Sequence, residues 1–152
     1  MIVFIGCVKN KKSYGTVASE LYDSTFFSKC LQYAKSLNPT HIYILSAKYG
    51  LVQLDEFIEP YDKTLNAMSK VERNSWADMV YKQFTDLQID FSDDVVWLCG
   101  SKYRDGLIKH FPKSRCPLEG MGIGCQLSFM TKALSNHTNP TVNKCISEET
   151  LW

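Results

Sequence analysis

Three short runs, Ile2–Ile5, Ile42–Leu45 and Val95–Cys99, are apolar at successive positions rather than at alternate ones. A strand covered on both faces has that signature, so the runs predict central strands packed between helices. Between them the period lengthens to three or four. Phe27, Cys30, Leu31, Ala34 and Leu37 mark one face of a helix that Asp23 or Ser24 caps and Asn38-Pro39 stops. Ser69-Lys-Val-Glu72 is a capping box, and Trp76, Met79, Val80, Phe84 and Leu87 mark the buried stripe of the helix it opens. A further helix, capped by Ser101 and ended by Pro112, carries Tyr103, Leu107, Ile108 and Phe111 inward. An extended piece, Arg115–Leu118, leads to a last helix with Leu127, Met130 and Leu134 on one face. Leu51–Asn66 shows no clean period, and Asp90–Asp94 is a polar connection broken only by Phe91.

Alternating strands and helices predict a single-domain, Rossmann-like α/β fold with a mainly parallel sheet flanked by helices. The α/β domain spans 1–135, and 136–152 is a polar carboxyl-terminal tail. Parallel strands bring their carboxyl ends to one edge, which is where ligands sit in open α/β sheets. Three loops leave that edge: Gly6–Gly15 with Lys9, Lys11 and Lys12; Ser46-Ala47-Lys48-Tyr49-Gly50; and Gly100-Ser101-Lys102-Tyr103.

Composition narrows the partners. The chain has 152 residues and a formal net charge of +1, which disfavours a general nucleic-acid coat. The amino terminus lacks the basic and longer apolar regions of a signal peptide, and no apolar run approaches a membrane span. Six cysteines form no C-x-x-C pair, so neither a structural zinc site nor another cofactor is indicated. These features predict a cytoplasmic protein in a reducing compartment. A homo-oligomer is compatible with them, since pockets are often shared between subunits.

The three loops combine glycine for close backbone approach, lysine for charge and serine for hydrogen bonds, with Tyr14, Tyr49 and Tyr103 as stacking surfaces. That suits a phosphate-bearing ligand, although solvated loops share this composition. Neither a P-loop nor a G-x-G-x-x-G loop is present; Gly120-x-Gly122-x-Gly124 departs from the latter's spacing. Cys7 directly follows the first strand, as a nucleophile activated by lysines or as a small buried residue. Asp55, Glu56, Glu59 and Asp62 cluster in the irregular segment, where one could act as general acid or base from a lid. His41, His110 and His137 fit structural or solvated roles.

Several stretches resemble a domain-of-unknown-function family of bacteria and phages that is loosely labelled YaaA-like. They are Cys7-Val-Lys-Asn-Lys-Lys12, Ile44-Leu-Ser-Ala-Lys-Tyr-Gly-Leu51, Ile58-Glu-Pro-Tyr-Asp62 and Pro117-Leu-Glu-Gly-Met-Gly-Ile-Gly124. The resemblance implies a Rossmann-like fold, a loose association with nucleotide or phage–host functions, and a place for Tyr61 and Asp62 in the strand-end site. There they would contact sugar or base while lysines hold phosphate. Two readings follow. One is a binding protein for a small nucleotide-type ligand that sequesters a signalling nucleotide in a phage–host setting. The other is an enzyme cleaving a glycosidic or phosphoester bond, with Asp62 or Glu59 as acid/base and Lys48 as anion stabiliser. The candidate ligand contacts are Cys7, Lys9, Lys11, Lys12, Ser46, Ala47, Lys48, Tyr49, Tyr61, Asp62, Gly100, Ser101, Lys102 and Tyr103.

Overall fold

The computed structural model describes residues 1–89 and 94–136. Most of the 90–94 connection and the tail from His137 onward, including Leu151-Trp152, lie outside them. In chain order the elements are β1 (Ile2–Gly6), β2 (Thr16–Val17), α1 (Ala18–Leu21), α2 (Thr25–Ser36), β3 (His41–Ser46), β4 (Gly50–Gln53), β5 (Phe57–Ile58), α3 (Lys70–Asp86), β6 (Val95–Leu98), α4 (Ser101–Arg104), β7 (Ser114–Arg115) and α5 (Ile123–Asn136). No helix among the described residues is long and apolar enough to cross a membrane.

The three continuous apolar runs are the three central strands. The main sheet has the order β4-β3-β1-β6-β7. β1 pairs in parallel with both β3 and β6, and β7 is parallel to β6. Phe4 aligns with Tyr43 on one side and Trp97 on the other, making an aromatic row across the sheet. Its ring stacks on Trp97 at 4.7 Å and meets Phe84 of α3 and Phe111 from the other side of the layer. The neighbouring residues Val3 and Ile5 point to the opposite face and are equally buried, where α2 packs on β1 and on α5.

The fold is therefore α/β with a mostly parallel sheet, as the pattern predicts. One pairing differs. β4, read in sequence as irregular, runs antiparallel to β3 with Ser46 opposite Gly50 and Ile44 opposite Val52. Strands joined by a three-residue turn must be antiparallel, so Ala47–Tyr49 is the tip of a hairpin rather than an open loop. Gly50 has φ 77°, the left-handed region that turns of this length require. The irregular segment continues through β5, which pairs antiparallel with β2 as a separate two-stranded ribbon. Gln83 of α3 completes the outer side of β4: its Oε1 accepts from Leu51 N at 2.8 Å and its Nε2 donates to Tyr49 O at 3.1 Å.

Helix starts follow the sequence in two cases. Ser24 Oγ accepts from Phe27 N, and Ser69 Oγ accepts from Glu72 N while donating to the Glu72 carboxylate. Three expectations need correction. Gly100, not Ser101, is the N-cap of α4, and it offers no side chain to the turn. The helix expected to run on to Phe111 breaks after Arg104 and resumes as a 3₁₀ turn at Ile108–His110, leaving Ile108 37% exposed. On α3 the buried arc is Trp76, Ala77, Val80 and Phe84, so Met79 and Leu87 sit at its margin, 39% and 40% exposed.

Trp76 is the residue of α3 that reaches the strand ends. Its Nε1 donates to the Ser46 carbonyl at 2.9 Å, and its ring stands edge-on to Tyr103. Trp76→Phe keeps most of the ring packing and leaves that buried carbonyl one donor short. It is expected to lower stability by about 1–3 kcal/mol. Urea unfolding checks this; an unchanged midpoint would show that the indole N–H contributes nothing.

Candidate functional site

Because β1, β3 and β6 are parallel, their carboxyl ends share one edge. Just beyond it, Cys7 N donates to Leu45 O at 3.0 Å, so the first loop starts beside β3. The loop then turns back along the residues before α2. Lys12 N donates to Leu21 O and Asp23 N donates to Asn10 O, which fixes Asn10–Lys12 as a short antiparallel arm against Leu21–Asp23. From the other side comes the segment after β5, where Glu59 O accepts from Tyr49 Oη at 3.3 Å. Between these two walls lies an open cleft of about 730 Å³. Lys9, Asn10, Lys11 and Lys12 line one side with Asp23, and Pro60, Tyr61 and Asp62 line the other.

A set of hydroxyls and a thiol lies around the strand ends. Ser46 is fully buried; its Oγ donates to Tyr61 Oη at 2.8 Å and accepts from Tyr49 N at 3.0 Å and Lys48 N at 3.3 Å. Tyr61 Oη is also 2.7 Å from Tyr22 Oη. On the β6 side, Cys7 Sγ lies 3.3 Å from Tyr103 Oη. Burial pushes the phenols of Tyr22, Tyr61 and Tyr103 well above their ordinary 10.0, and a negative charge on nearby Cys7 would push in the same direction. All three are neutral hydrogen-bonding groups at physiological pH.

Lys11 joins this layer to the cleft. Its Nζ sits 4.3 Å from the centre of the Tyr61 ring and 5.8 Å from that of Tyr22, and donates to Lys9 O at 3.2 Å. A cation over an aromatic face is attracted by the ring's negative quadrupole. Partial burial lowers its pKa from 10.5, against the opposing pull of Cys7 and Asp62. The Tyr61 ring also meets Tyr49 edge-to-face at 5.6 Å, and Lys48 Nζ lies 5.2 Å from the Tyr49 ring.

The structure thus gathers some of the candidate residues and separates others. Lys9, Lys11, Lys12, Tyr61 and Asp62 line one cleft. Ser46 and Ala47 are buried beneath it, and the Ser46 hydroxyl is engaged in holding the hairpin tip and Tyr61. Lys48 is exposed at that tip, with Tyr49 packed between it and Tyr61. Gly100, Ser101, Lys102 and Tyr103 do not line the cleft. The chain goes from β1 outward to β3 and then returns to β6 on the other side, so the strand order reverses between β1 and β6. A ligand crevice opens at such a point in many α/β sheets; here Tyr103 and Cys7 meet across it. Asn10 and Asp23 are lining residues that sequence reading missed. Their only signal is the Lys11–Tyr22 bridge, which is a tertiary pairing without a local pattern.

Fold and cleft together define an α/β protein with a lysine-rich cleft at the carboxyl edge of a mostly parallel sheet. The chain belongs to the family of unknown function DUF6884, whose model matches residues 2–132. That agrees with a domain-of-unknown-function family and does not extend to the YaaA-like label. Searches of curated proteins and of solved structures found no match.

Proposed function

We propose that this cleft binds a small phosphate-bearing ligand of the nucleotide type and that the protein acts by holding it. The observation that carries the reading is the placement of Lys9, Lys11 and Lys12, three cations of one loop, on the wall of a single cleft. Their field attracts an anion, and ammonium–phosphate hydrogen bonds are each worth about 1.5–3 kcal/mol. We read the architecture as Rossmann-like, with the ligand displaced from the β1–β6 crevice toward β3. In this reading the protein works in the cytoplasm and sequesters a signalling nucleotide in a phage–host setting.

The enzyme alternative draws on Asp62, which lines the cleft near Lys11. It has less support, because Lys48, its proposed anion stabiliser, is exposed at the hairpin tip outside the lining. Calorimetric titration with a panel of nucleotides and pyrophosphate tests the binding reading. Lys9 is exposed and Lys12 is not buried, so Lys9→Gln/Lys12→Gln leaves the fold intact. The double variant is expected to weaken binding at least about tenfold, with a shallower dependence on salt. Equal affinity in variant and parent, or no binding across the panel, rejects the site. Chromatography of heat-released ligand separates holding from turnover: intact, stoichiometric nucleotide supports sequestration, and product beyond one equivalent supports the enzyme.

A further inference from the structure

We infer that the cleft selects a phosphate ester of ribose, with Asp23 and Asp62 accepting hydrogen bonds from the sugar hydroxyls; this rests on the phosphate reading above. The observation is the presence of two carboxylates among the lysines. Asp23 enters from the start of α2 and Asp62 from the opposite wall. Among the described residues, no hydrogen bond or ion pair engages either carboxylate, although Lys9, Lys11 and Lys12 line the same cleft.

A site for a bare inorganic anion gains nothing from two carboxylates. Each repels the ligand by about 0.7 kcal/mol at roughly 6 Å even with the full screening of water. An ionised carboxylate only accepts hydrogen bonds, so its natural complement is a ligand that carries donors beside its phosphate. Ribose supplies two adjacent hydroxyls within a few bonds of a 5′-phosphate. Carboxylate capture of ribose hydroxyls is an established solution in sheets of this general type. The aromatic wall supports a sugar rather than a base in contact with it. Lys11 Nζ lies over the Tyr61 ring and Tyr49 stands against it edge-to-face, so this ring is already engaged on two sides. Recognition in the cleft is then polar: lysines for phosphate, aspartates for the diol.

The test uses the full chain and three probes in calorimetric titrations: ribose 5-phosphate, 2-deoxyribose 5-phosphate and inorganic phosphate. Ribose 5-phosphate is expected to bind at least about tenfold tighter than either of the others, since a site built to pair with a hydroxyl discriminates against its absence. Asp23→Asn and Asp62→Asn, both at exposed positions, should each reduce that preference. Inorganic phosphate should bind these variants as well as or better than the parent, because a like charge has gone. If the two sugars bind equally while phosphate itself binds, the ribose assignment falls and the phosphate site stands. If none of the three binds, both fall. Binding of ribose 5-phosphate that requires added Mg²⁺ and disappears with chelator would assign the aspartates to a cation and overturn the inference.

Discussion

Gly50→Ala is expected to destabilise the protein by about 3–4 kcal/mol, out of all proportion to the addition of one methyl group. Two effects combine. At φ 77° an L side chain is strained by about 1–2 kcal/mol. The added Cβ would also lie 2.9 Å from Met79 Cε and 3.1 Å from Gln83 Cδ, and closer still to the Gln83 carboxamide oxygen. Met79 is a flexible, partly exposed chain and can give way. Gln83 cannot do so freely, because both ends of its carboxamide are bonded to the hairpin, and each bond lost is worth about 1 kcal/mol. Urea unfolding of Gly50→Ala, Gln83→Ala and the double variant forms a cycle that separates the two effects. With Gln83 already removed, Gly50→Ala should retain only the backbone strain. An equal loss in both backgrounds would show that the carboxamide does not resist the methyl. The same turn orients Ser46 and Tyr49, so the loss of stability should be accompanied by weaker ligand binding.

The second large effect is alkaline instability. Tyr22, Tyr61 and Tyr103 are held protonated in the fold well above the 10.0 of an exposed phenol, and the thiols of Cys30 and Cys99 are held well above 9.0, in each case chiefly by burial. Below about pH 8 both folded and unfolded chains keep these protons, and stability does not depend on them. Above it the unfolded chain releases protons that the folded chain retains, so stability falls as pH rises. Each fully differential proton contributes about 1.4 kcal/mol per pH unit, and the three tyrosines together about 4. Lys11 acts with the opposite sign. Its lowered pKa means that the folded chain holds fewer protons than the unfolded one up to about 10.5, so it adds stability with pH. One group does not offset three. Urea midpoints measured from about pH 8 to about pH 11 should therefore decline steeply above about pH 10. Tyr61→Phe should flatten the decline by one proton while lowering stability at neutral pH, where Ser46 and Tyr22 lose a partner. A midpoint that stays level across this range would refute the burial of these phenols.

What could be read from the sequence was whatever depends on neighbours along the chain. Ile2–Ile5, Ile42–Leu45 and Val95–Leu98 are buried along most of their length, and continuous apolarity announces that directly. Ser24 and Ser69 cap helices through atoms three residues away, which is also local. β4 was hidden because Gly50–Gln53 is a strand only by virtue of its pairing with β3. Met79 misled because helical spacing gives the direction of an apolar stripe and not its width. At the site, the lysines after β1 stood out by composition and spacing, whereas Pro60–Asp62 was tied to it only by what the family resemblance implies. Ser46 stood out equally, yet its hydroxyl is engaged inside the protein, since a small polar residue at a strand end reads alike in both roles. Asp23 did not stand out at all: beside a helix start it looks like a cap, and only the arm formed with Asn10–Lys12 brings it to the cleft.

The carboxamide of Gln83 has a meaning beyond the hairpin. By bonding Tyr49 O and Leu51 N it occupies two backbone groups on the outer margin of the hairpin, the side on which a further strand would have to pair. A second chain could extend the ladder there only by prising α3 away. At the other margin β7 is two residues long and offers little to build on. Among the described residues, the sheet thus offers little free backbone to a further strand, at one border because a side chain occupies it and at the other because the strand is brief.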